Sequence, residues 1–244
     1  MSDAIIAETV HIGAERIQAY LARPLGPGTY PGVVVIHHLP GYDEATKEMV
    51  RRFAVHGYSA LCPNLYWREA PNAAPDDAAA FVRAQGGIPD EQIIRDVTTA
   101  AEALRALDTA SGRVGVIGHC SGGRQALLAS TAAPVDAAVD CYGAFALEPP
   151  PSTSTLRARP IRDRLPDVRC PVLGLFGDDD QFPSPAEVAE LAAELDKHGK
   201  SFEYHSYEGA GHAFFSVDRP SYRPAAAVDG WHRVFSFFGR HLEA

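Results

Sequence analysis

The sequence lacks the positive charge of a nucleic-acid-binding protein. Its 244 residues include 22 Lys and Arg against 31 Asp and Glu, which gives a formal net charge of −9. A chain of this charge repels a phosphate backbone unless its basic residues are clustered. The sequence contains no such cluster, so we expect no nucleic-acid partner.

Long apolar runs are also missing. No stretch of about 18 apolar residues could span a bilayer, and the N-terminus, Met-Ser-Asp-Ala-Ile-Ile-Ala-Glu, lacks the basic start and apolar run of a signal peptide. We therefore expect no membrane partner and a cytoplasmic location. The apolar content of 46% suffices for one large core, and the length fits a single α/β domain over residues 1–244.

Cysteine is scarce and widely spaced. The four cysteines are Cys62, Cys120, Cys141 and Cys170, and no two of them form a C-x-x-C pair. This spacing excludes a disulfide scaffold and a zinc knuckle, and it predicts reduced thiols.

Short β-branched apolar runs alternate with segments of helical periodicity. After an N-terminal hairpin at 9–22, strands are predicted at 32–37, 59–62, 113–118, 137–142, 172–177 and 202–207. Helices are predicted at 45–56, 92–107, 122–131, 185–198 and 225–241. This alternation predicts a mostly parallel, doubly wound α/β sheet with helices on both faces. Two stretches, 68–89 and 148–166, interrupt it and are expected to be excursions from the sheet edge.

One cysteine stands in a nucleophile-elbow pattern. The run Gly118-His-Cys120-Ser-Gly122 has the form G-x-C-x-G between a predicted strand and a predicted helix. A thiol at a helix N-terminus is stabilised as thiolate, and the Ser121 N–H would face a developing oxyanion. The alternative is that Cys120 only fills space in a turn. The flanking glycines favour the nucleophile, and His119 is expected to point away from it and pack beneath the turn.

An acid and a histidine follow in the chain order that such a nucleophile requires. The strand at 172–177 ends in Asp178-Asp179-Asp180, at the sheet edge where catalytic groups gather. The residues alone leave open which of the three carboxylates points toward the histidine. The alternative to a catalytic role is a solvated acidic turn or a helix cap. His212 lies in a glycine-rich loop after the last strand, which favours a base over a core histidine.

Two adjacent histidines end the first core strand. The N–H of Leu39, which follows His37 and His38, would be the second oxyanion donor. The paired histidines also suggest a metal site with Cys120 or His212 as a further ligand. Because adjacent strand residues point to opposite faces, only one of the pair could reach such a site, and we expect no metal.

From about Ile17 to the final helix, the sequence resembles the dienelactone hydrolase family of α/β-hydrolases. The resemblance rests on the elbow, on Gly-Tyr-Ser-Ala-Leu-Cys-Pro-Asn-Leu-Tyr at 57–66, on Phe-Gly-Asp-Asp-Asp and on Gly-His-Ala-Phe. It implies Cys120 as nucleophile, His212 as base and, three residues after the glycine that ends the strand, Asp180 as acid. It also implies hydrolysis of cyclic enol-lactones and related esters through a thiol acyl-enzyme, without metal or organic cofactor.

The sequence departs from this family at two positions. His38 stands where well-known members have a glutamate that contacts the resting cysteine, and an imidazole there would favour thiolate. Ser216 stands where those members have an arginine that binds the substrate carboxylate. Three arginines are candidates to replace it: Arg83, Arg124 and Arg219.

We expect the substrate pocket to be shaped by residues near strand ends and catalytic loops, namely His38, Tyr42, Trp67, Arg83, Tyr142, Phe182 and Phe214. The resulting hypothesis is a cysteine hydrolase, monomer or homodimer, that acts on a small-molecule ester or lactone without a cofactor. One alternative is an acyl thioesterase or a hydrolase of other activated esters, including phosphate triesters. Another is a non-catalytic small-ligand-binding protein that retains the fold.

Overall fold

The computed structural model describes residues 4–243, and its strands form one eight-stranded sheet. The strands are β1 (Ile5–Ile12), β2 (Ile17–Pro24), β3 (Tyr30–Ile36), β4 (Ser59–Pro63), β5 (Ala110–His119), β6 (Ala137–Cys141), β7 (Val172–Gly177) and β8 (Phe202–Tyr207). Their order is β1-β2-β4-β3-β5-β6-β7-β8. The hairpin β1–β2 joins β4 antiparallel, and all pairs from β4 to β8 are parallel. The predicted doubly wound sheet and N-terminal hairpin are confirmed.

Six α-helices in the described part of the chain cover both faces of this sheet. They are α1 (Glu44–Val55), α2 (Pro75–Ala84), α3 (Asp90–Arg105), α4 (Ser121–Ala132), α5 (Pro185–Lys197) and α6 (Pro224–Leu242). Side chains of α3, α4 and α5 belong to one buried cluster, and side chains of α1 and α6 belong to the other. Each face of the sheet therefore has its own apolar layer. No helix within residues 4–243 is long and apolar enough to cross a membrane.

The two predicted excursions differ in content. The stretch 68–89 contains α2, which begins with a proline and two acidic residues and buries Ala78, Ala79 and Val82. A proline and carboxylates in the first turn favour a helix start, but the apolar face is made mostly of alanine, which gives a weak periodic signal. The stretch 148–166 is irregular up to a short 3-10 helix at Arg162–Asp167. Both stretches lie beyond the carboxyl ends of the parallel strands.

The turn between β5 and α4 consists of one residue. Cys120 has φ of 57° and ψ of −125°, a conformation that residues with side chains seldom adopt. A Cβ at Gly118 would lie 1.9 Å from the Gly122 carbonyl oxygen, and a Cβ at Gly122 would lie 2.7 Å from the Ile36 oxygen. Glycine is required at both positions because backbone meets backbone there.

We expect Gly118→Ala to lower the free energy of unfolding by more than about 3 kcal/mol, because its methyl group would overlap a carbonyl that cannot move without opening the elbow. The matched control is Gly239→Ala in α6, where the nearest atom to the added Cβ is 3.8 Å away. That variant should be neutral or gain up to about 1 kcal/mol from helix propensity. Urea unfolding followed by circular dichroism measures both, and equal stabilities would contradict the steric argument.

Candidate active site

Three side chains meet at the carboxyl edge of the parallel strands. Cys120 lies between β5 and α4, Asp180 follows β7, and His212 lies in the loop after β8. His212 Nδ1 lies 2.8 Å from Asp180 Oδ2 and donates to it, since a carboxylate can only accept. The Cys120 thiol hydrogen bonds to the same imidazole. The three residues predicted from the sequence are therefore in hydrogen-bonded contact.

Two backbone N–H groups converge on the Cys120 sulfur. One belongs to Ser121, the first residue of α4, and the other belongs to Leu39 in the loop after β3. N–H groups that surround a nucleophilic sulfur are placed to face the carbonyl oxygen of an acyl group bound to it. The structure thus brings both predicted oxyanion donors to the thiol.

The Leu39 loop is held by a buried histidine and a tyrosine. His37 Nε2 accepts the Leu65 N–H at 3.1 Å, so its Nδ1 carries the proton and donates to the His38 carbonyl at 2.9 Å. Burial lowers the pKa of His37 to about 4, which keeps this imidazole neutral. The Tyr66 hydroxyl donates to the Leu39 carbonyl at 3.0 Å. These contacts fix the orientation of the Leu39 N–H.

The ionisation of the thiol and that of the imidazole are coupled. Burial of the Cys120 sulfur opposes ionisation, but the hydrogen bond and charge of His212 and the N–H groups of Ser121 and Leu39 outweigh it and lower the thiol pKa. Burial likewise opposes the imidazolium form of His212, yet Asp180 and the cysteine raise its pKa to about 10. Both shifts act in the direction of a thiolate–imidazolium pair.

The acid loop and the histidine loop pack backbone against backbone. A Cβ at Gly177, which ends β7, would lie 2.2 Å from the Ala210 carbonyl oxygen. Asp180 is held from the other side, because its Oδ1 accepts the Phe182 N–H at 2.9 Å. The carboxylate that faces His212 is therefore fixed at both oxygens, which supports the choice of this aspartate among the three.

A cavity of about 1050 Å³ opens in front of the thiol. Cys120, Ser121, His212 and Leu39 lie on its inner wall, and residues of 85–93 and 156–164 form its outer wall. The outer wall therefore comes largely from the two excursions. Phe182 also lines the cavity, with its ring centroid 5.5 Å from that of Phe145.

Of the seven predicted pocket residues, Phe182 lines the cavity. The other six predicted residues do not line its wall: His38, Tyr42, Trp67, Arg83, Tyr142 and Phe214. Tyr142 and Phe214 are 1% and 0% exposed and lie behind the site, with the Tyr142 ring 5.2 Å from both the His212 ring and the Phe214 ring. They support the histidine from the core side.

The other predicted residues that lie away from the cavity contact different neighbours. The Tyr42 ring packs under Lys47 at 4.7 Å, and the Trp67 ring packs edge-on against His11 at 5.8 Å. Arg83 is exposed on α2. Proximity to a strand end in the sequence did not predict the direction of these side chains, because irregular backbone follows each strand.

His38 contacts a carboxylate in place of the thiol. Its Nε2 lies 2.6 Å from Asp43 Oδ2, and the other oxygen of Asp43 accepts the Thr46 N–H at 2.8 Å as the N-cap of α1. Burial raises the pKa of Asp43, but these hydrogen bonds outweigh it and lower the pKa to about 2. The predicted electrostatic effect of His38 on Cys120 is replaced by a pair with the helix cap. The position of Asp43 just before a helical pattern was the sequence signal that could have indicated this helix cap.

The three candidate arginines are all unsuited to replacing the family's arginine. The guanidinium of Arg124 is buried, forms two bonds of 2.9 and 3.0 Å with Asp90, and donates to the Phe145 carbonyl. Arg83 and Arg219 are exposed and do not line the cavity. Two arginines outside the predicted set, Arg157 and Arg159, do line it. No hydrogen bond or ion pair engages their guanidinium groups within residues 4–243.

His119 packs beneath the turn, as predicted. It is 4% exposed, its ring lies 5.2 Å from that of Phe215, and both of its nitrogens lack a hydrogen-bond partner among the described residues. Burial lowers the pKa of this imidazole to about 3. In the part of the chain that the structure describes, no three His, Cys, Asp or Glu side chains are grouped as a metal site would require.

Comparison with known proteins identifies relatives over nearly the whole chain. A "Putative carboxymethylenebutenolidase" of Methylorubrum extorquens is 34% identical over 230 residues, which are 92% of this chain and 77% of that protein. A "Probable 2-oxo-3-(5-oxofuran-2-ylidene)propanoate lactonase" of a Bradyrhizobium species is 31% identical over 246 residues, which are 99% of this chain and 97% of that protein.

The structure supports the same assignment. The solved structure of a "Putative Dienelactone Hydrolase" from Klebsiella pneumoniae matches with a TM-score of 0.85 and 30% identity, over 98% of this chain and 100% of that chain. The family model described as "Dienelactone hydrolase family" matches residues 17–242. With its parallel sheet, its elbow and these relatives, the chain is a hydrolase with the α/β-hydrolase fold and belongs to the dienelactone hydrolase family.

Proposed function

We propose that this protein hydrolyses lactones or carboxylic esters with Cys120 as nucleophile, His212 as acid and base, and Asp180 as the group that orients His212. The observation that supports this most directly is the convergence on one thiol of an imidazole, itself bonded to a carboxylate, and two backbone N–H groups. The names of the two sequence relatives describe enzymes that open lactones. The proposed substrate class follows from both.

In the first half of the reaction, the Cys120 thiolate attacks the carbonyl carbon and a C–S bond forms. The electron pair of the C=O bond moves to oxygen, where the N–H groups of Leu39 and Ser121 stabilise the negative charge. The tetrahedral intermediate collapses and breaks the bond to the leaving oxygen. That oxygen takes the proton of the His212 imidazolium, which leaves an acyl-enzyme and a neutral imidazole.

In the second half, neutral His212 takes a proton from water as the water oxygen attacks the thioester. The same two N–H groups stabilise the second oxyanion, and its collapse releases the carboxylic acid and restores the thiolate–imidazolium pair. Asp180 accepts the Nδ1–H of His212 throughout, so the Nε2 of the ring always faces the reacting atoms.

The proposal predicts selective chemical labelling of one cysteine. Cys62, Cys141 and Cys170 are buried, and burial raises the pKa of each thiol, that of Cys170 to about 12. Cys120 is partly exposed and its pKa is lowered. At pH 7, iodoacetamide should therefore modify Cys120 first, with hydrolysis of an aryl ester lost in proportion.

Peptide mass spectrometry after partial inactivation measures the site of labelling. Cys170→Ala is the control and should label and lose activity at the wild-type rate. Equal labelling of all four cysteines, or full labelling of Cys120 with activity retained, would contradict the proposed nucleophile. A panel of lactones, aryl esters, acyl thioesters and phosphate triesters, with the Cys120→Ala variant as blank, then decides among the electrophiles. Binding of these compounds without turnover of any would identify a ligand-binding protein.

A further inference from the structure

A second carboxyl group lies directly beneath the elbow, inside the sheet. Asp140 on β6 is 1% exposed, in a strand otherwise made of apolar residues. Its Oδ1 accepts the Gly143 N–H at 2.8 Å, and its Oδ2 is buried without a partner among the described residues. A buried, half-satisfied carboxyl costs stability, so its presence requires an explanation.

The carboxyl touches the backbone on both sides of the site. A Cβ at Gly123, in the first turn of α4, would lie 2.3 Å from Asp140 Oδ1, and one at Gly143 would lie 2.4 Å from it. The turn that Asp140 holds begins at Cys141, whose carbonyl accepts the Cys120 N–H at 3.0 Å. The carboxyl thus fills the space between the first turn of α4 and the Cys141–Gly143 turn, whose first carbonyl accepts the Cys120 N–H.

The same turn contacts the histidine. Tyr142 lies between Cys141 and Gly143, has φ of 44°, and places its ring 5.2 Å from the ring of His212. The hydrogen bond from Gly143 to Asp140 closes this turn. The position of the turn therefore affects both the thiol and the imidazole.

We propose that Asp140 is a positioning residue that sets the distance between Cys120 and His212 by holding the Cys141–Gly143 turn against the first turn of α4. This inference rests on the proposed function of Cys120, and it adds a residue that does not touch the substrate. Burial raises the pKa of Asp140 to about 7, so the carboxyl changes its charge near neutral pH. Ionisation places an unpaired charge under the elbow and loosens this packing.

Among the residues that the structure describes, no cation is paired with the Asp140 carboxyl. In register beside it, β5 and β7 present Gly118 and Gly174, which have no side chains. Glu187 on α5 is an ionisable group that acts on it, and its charge further raises the pKa of Asp140; the Cys141 thiol is its neighbour along β6 and lies on the other face of the sheet. The guanidinium of Arg124 on α4 is bound to Asp90 by two hydrogen bonds.

The test is the pH dependence of Cys120 alkylation by iodoacetamide and of kcat for an aryl ester, between pH 5 and 9. The Cys120 thiol also ionises, with a lowered pKa, so the inflection that belongs to Asp140 is the one that its replacement by asparagine removes. In the wild type we expect both rates to fall about 2- to 30-fold through an inflection near pH 7. Asp140→Asn, which cannot ionise, should keep the rates of the low-pH form and lose the inflection.

A second variant tests the same carboxyl without altering it. Glu187→Gln removes a negative charge that raises the pKa of Asp140, so the inflection should move to lower pH. Stability supplies an independent measurement: a raised pKa of a buried acid stabilises the fold below its ordinary pKa of 3.8, and this contribution is lost as pH rises through 7. The Tm of Asp140→Asn relative to the wild type should therefore rise between pH 5 and pH 8.

An unchanged inflection in Asp140→Asn, or an inflection that Glu187→Gln does not move, would overturn the role of Asp140. That outcome leaves the proposed function intact if iodoacetamide still inactivates through Cys120. If activity survives complete alkylation of Cys120, the proposed function fails instead, so the two failures are distinguishable.

Discussion

Cys120→Ala should reduce kcat/KM for any ester or lactone that the protein hydrolyses by about 10⁵- to 10⁶-fold, the range found when the nucleophile of a triad is removed. The two N–H groups and the cavity remain, but within residues 4–243 no other thiol or hydroxyl at the site is hydrogen-bonded to an imidazole. Cys62 and Cys141 are 0% exposed and cannot substitute for the lost group. Loss of a thiol from a turn leaves the sheet intact, so the effect should appear in the rate and not in the Tm.

The control for this loss is Cys141→Ala, one strand away and fully buried. That variant leaves a small cavity in the core and should cost stability of about 1 kcal/mol, with kcat close to the wild-type value. Initial rates with an aryl ester and thermal unfolding curves measure the two effects separately. A Cys120→Ala variant with activity within tenfold of the wild type would exclude a cysteine mechanism.

Much of the architecture was predictable from the sequence because the core strands are short, apolar and β-branched, and the helices between them are amphipathic. The hairpin, the parallel strands and five helices follow from these periodicities. Helix α2 did not, because Ala78 and Ala79 form most of its buried face and alanine gives little contrast between faces. The direction of β4, which pairs antiparallel with one neighbour and parallel with the other, also needed the structure.

Part of the candidate site was likewise predictable from the sequence, and part was not. Cys120, His212 and the amides of Leu39 and Ser121 were predictable because glycines and strand ends mark the loops that position them. Asp180 could be chosen among three adjacent aspartates only by resemblance to a family. The cavity wall was not predictable, since it depends on how the irregular segment 148–161 packs against the Gly86–Gly87 turn after α2, and no periodic pattern encodes that.

Asp140 stands out in the sequence as a charged residue inside an apolar strand. The strand reads Ala-Ala-Val-Asp-Cys, and a charged residue inside a buried apolar strand is unusual enough to indicate a function. Its position is informative only with the topology, because β6 lies next to the strand that ends in the elbow. The sequence marks such a residue as unusual, and the structure shows which groups it contacts.

Asp180→Asn should lower kcat by about 10³- to 10⁴-fold with little change in KM, by the argument that an amide cannot hold the required tautomer of the base. The side-chain carbonyl can still accept the Phe182 N–H, so the loop keeps its shape. Its NH₂ group, however, would face the Nδ1–H of His212, and the ring must move its proton to Nε2. The nitrogen that faces Cys120 is then always protonated and cannot accept a proton from water.

The pH dependence of Cys120 gives this prediction a second measurement. Because Asp180 raises the pKa of His212, its loss disfavours the imidazolium and with it the thiolate, so alkylation of Cys120 should require a higher pH than in the wild type. Asp178→Asn is the matched control: this exposed aspartate lies two residues earlier, and its loss should leave the alkylation profile and kcat unchanged. Equal losses in the two variants would indicate that the negative charge of the loop, and not the bond to His212, supports catalysis.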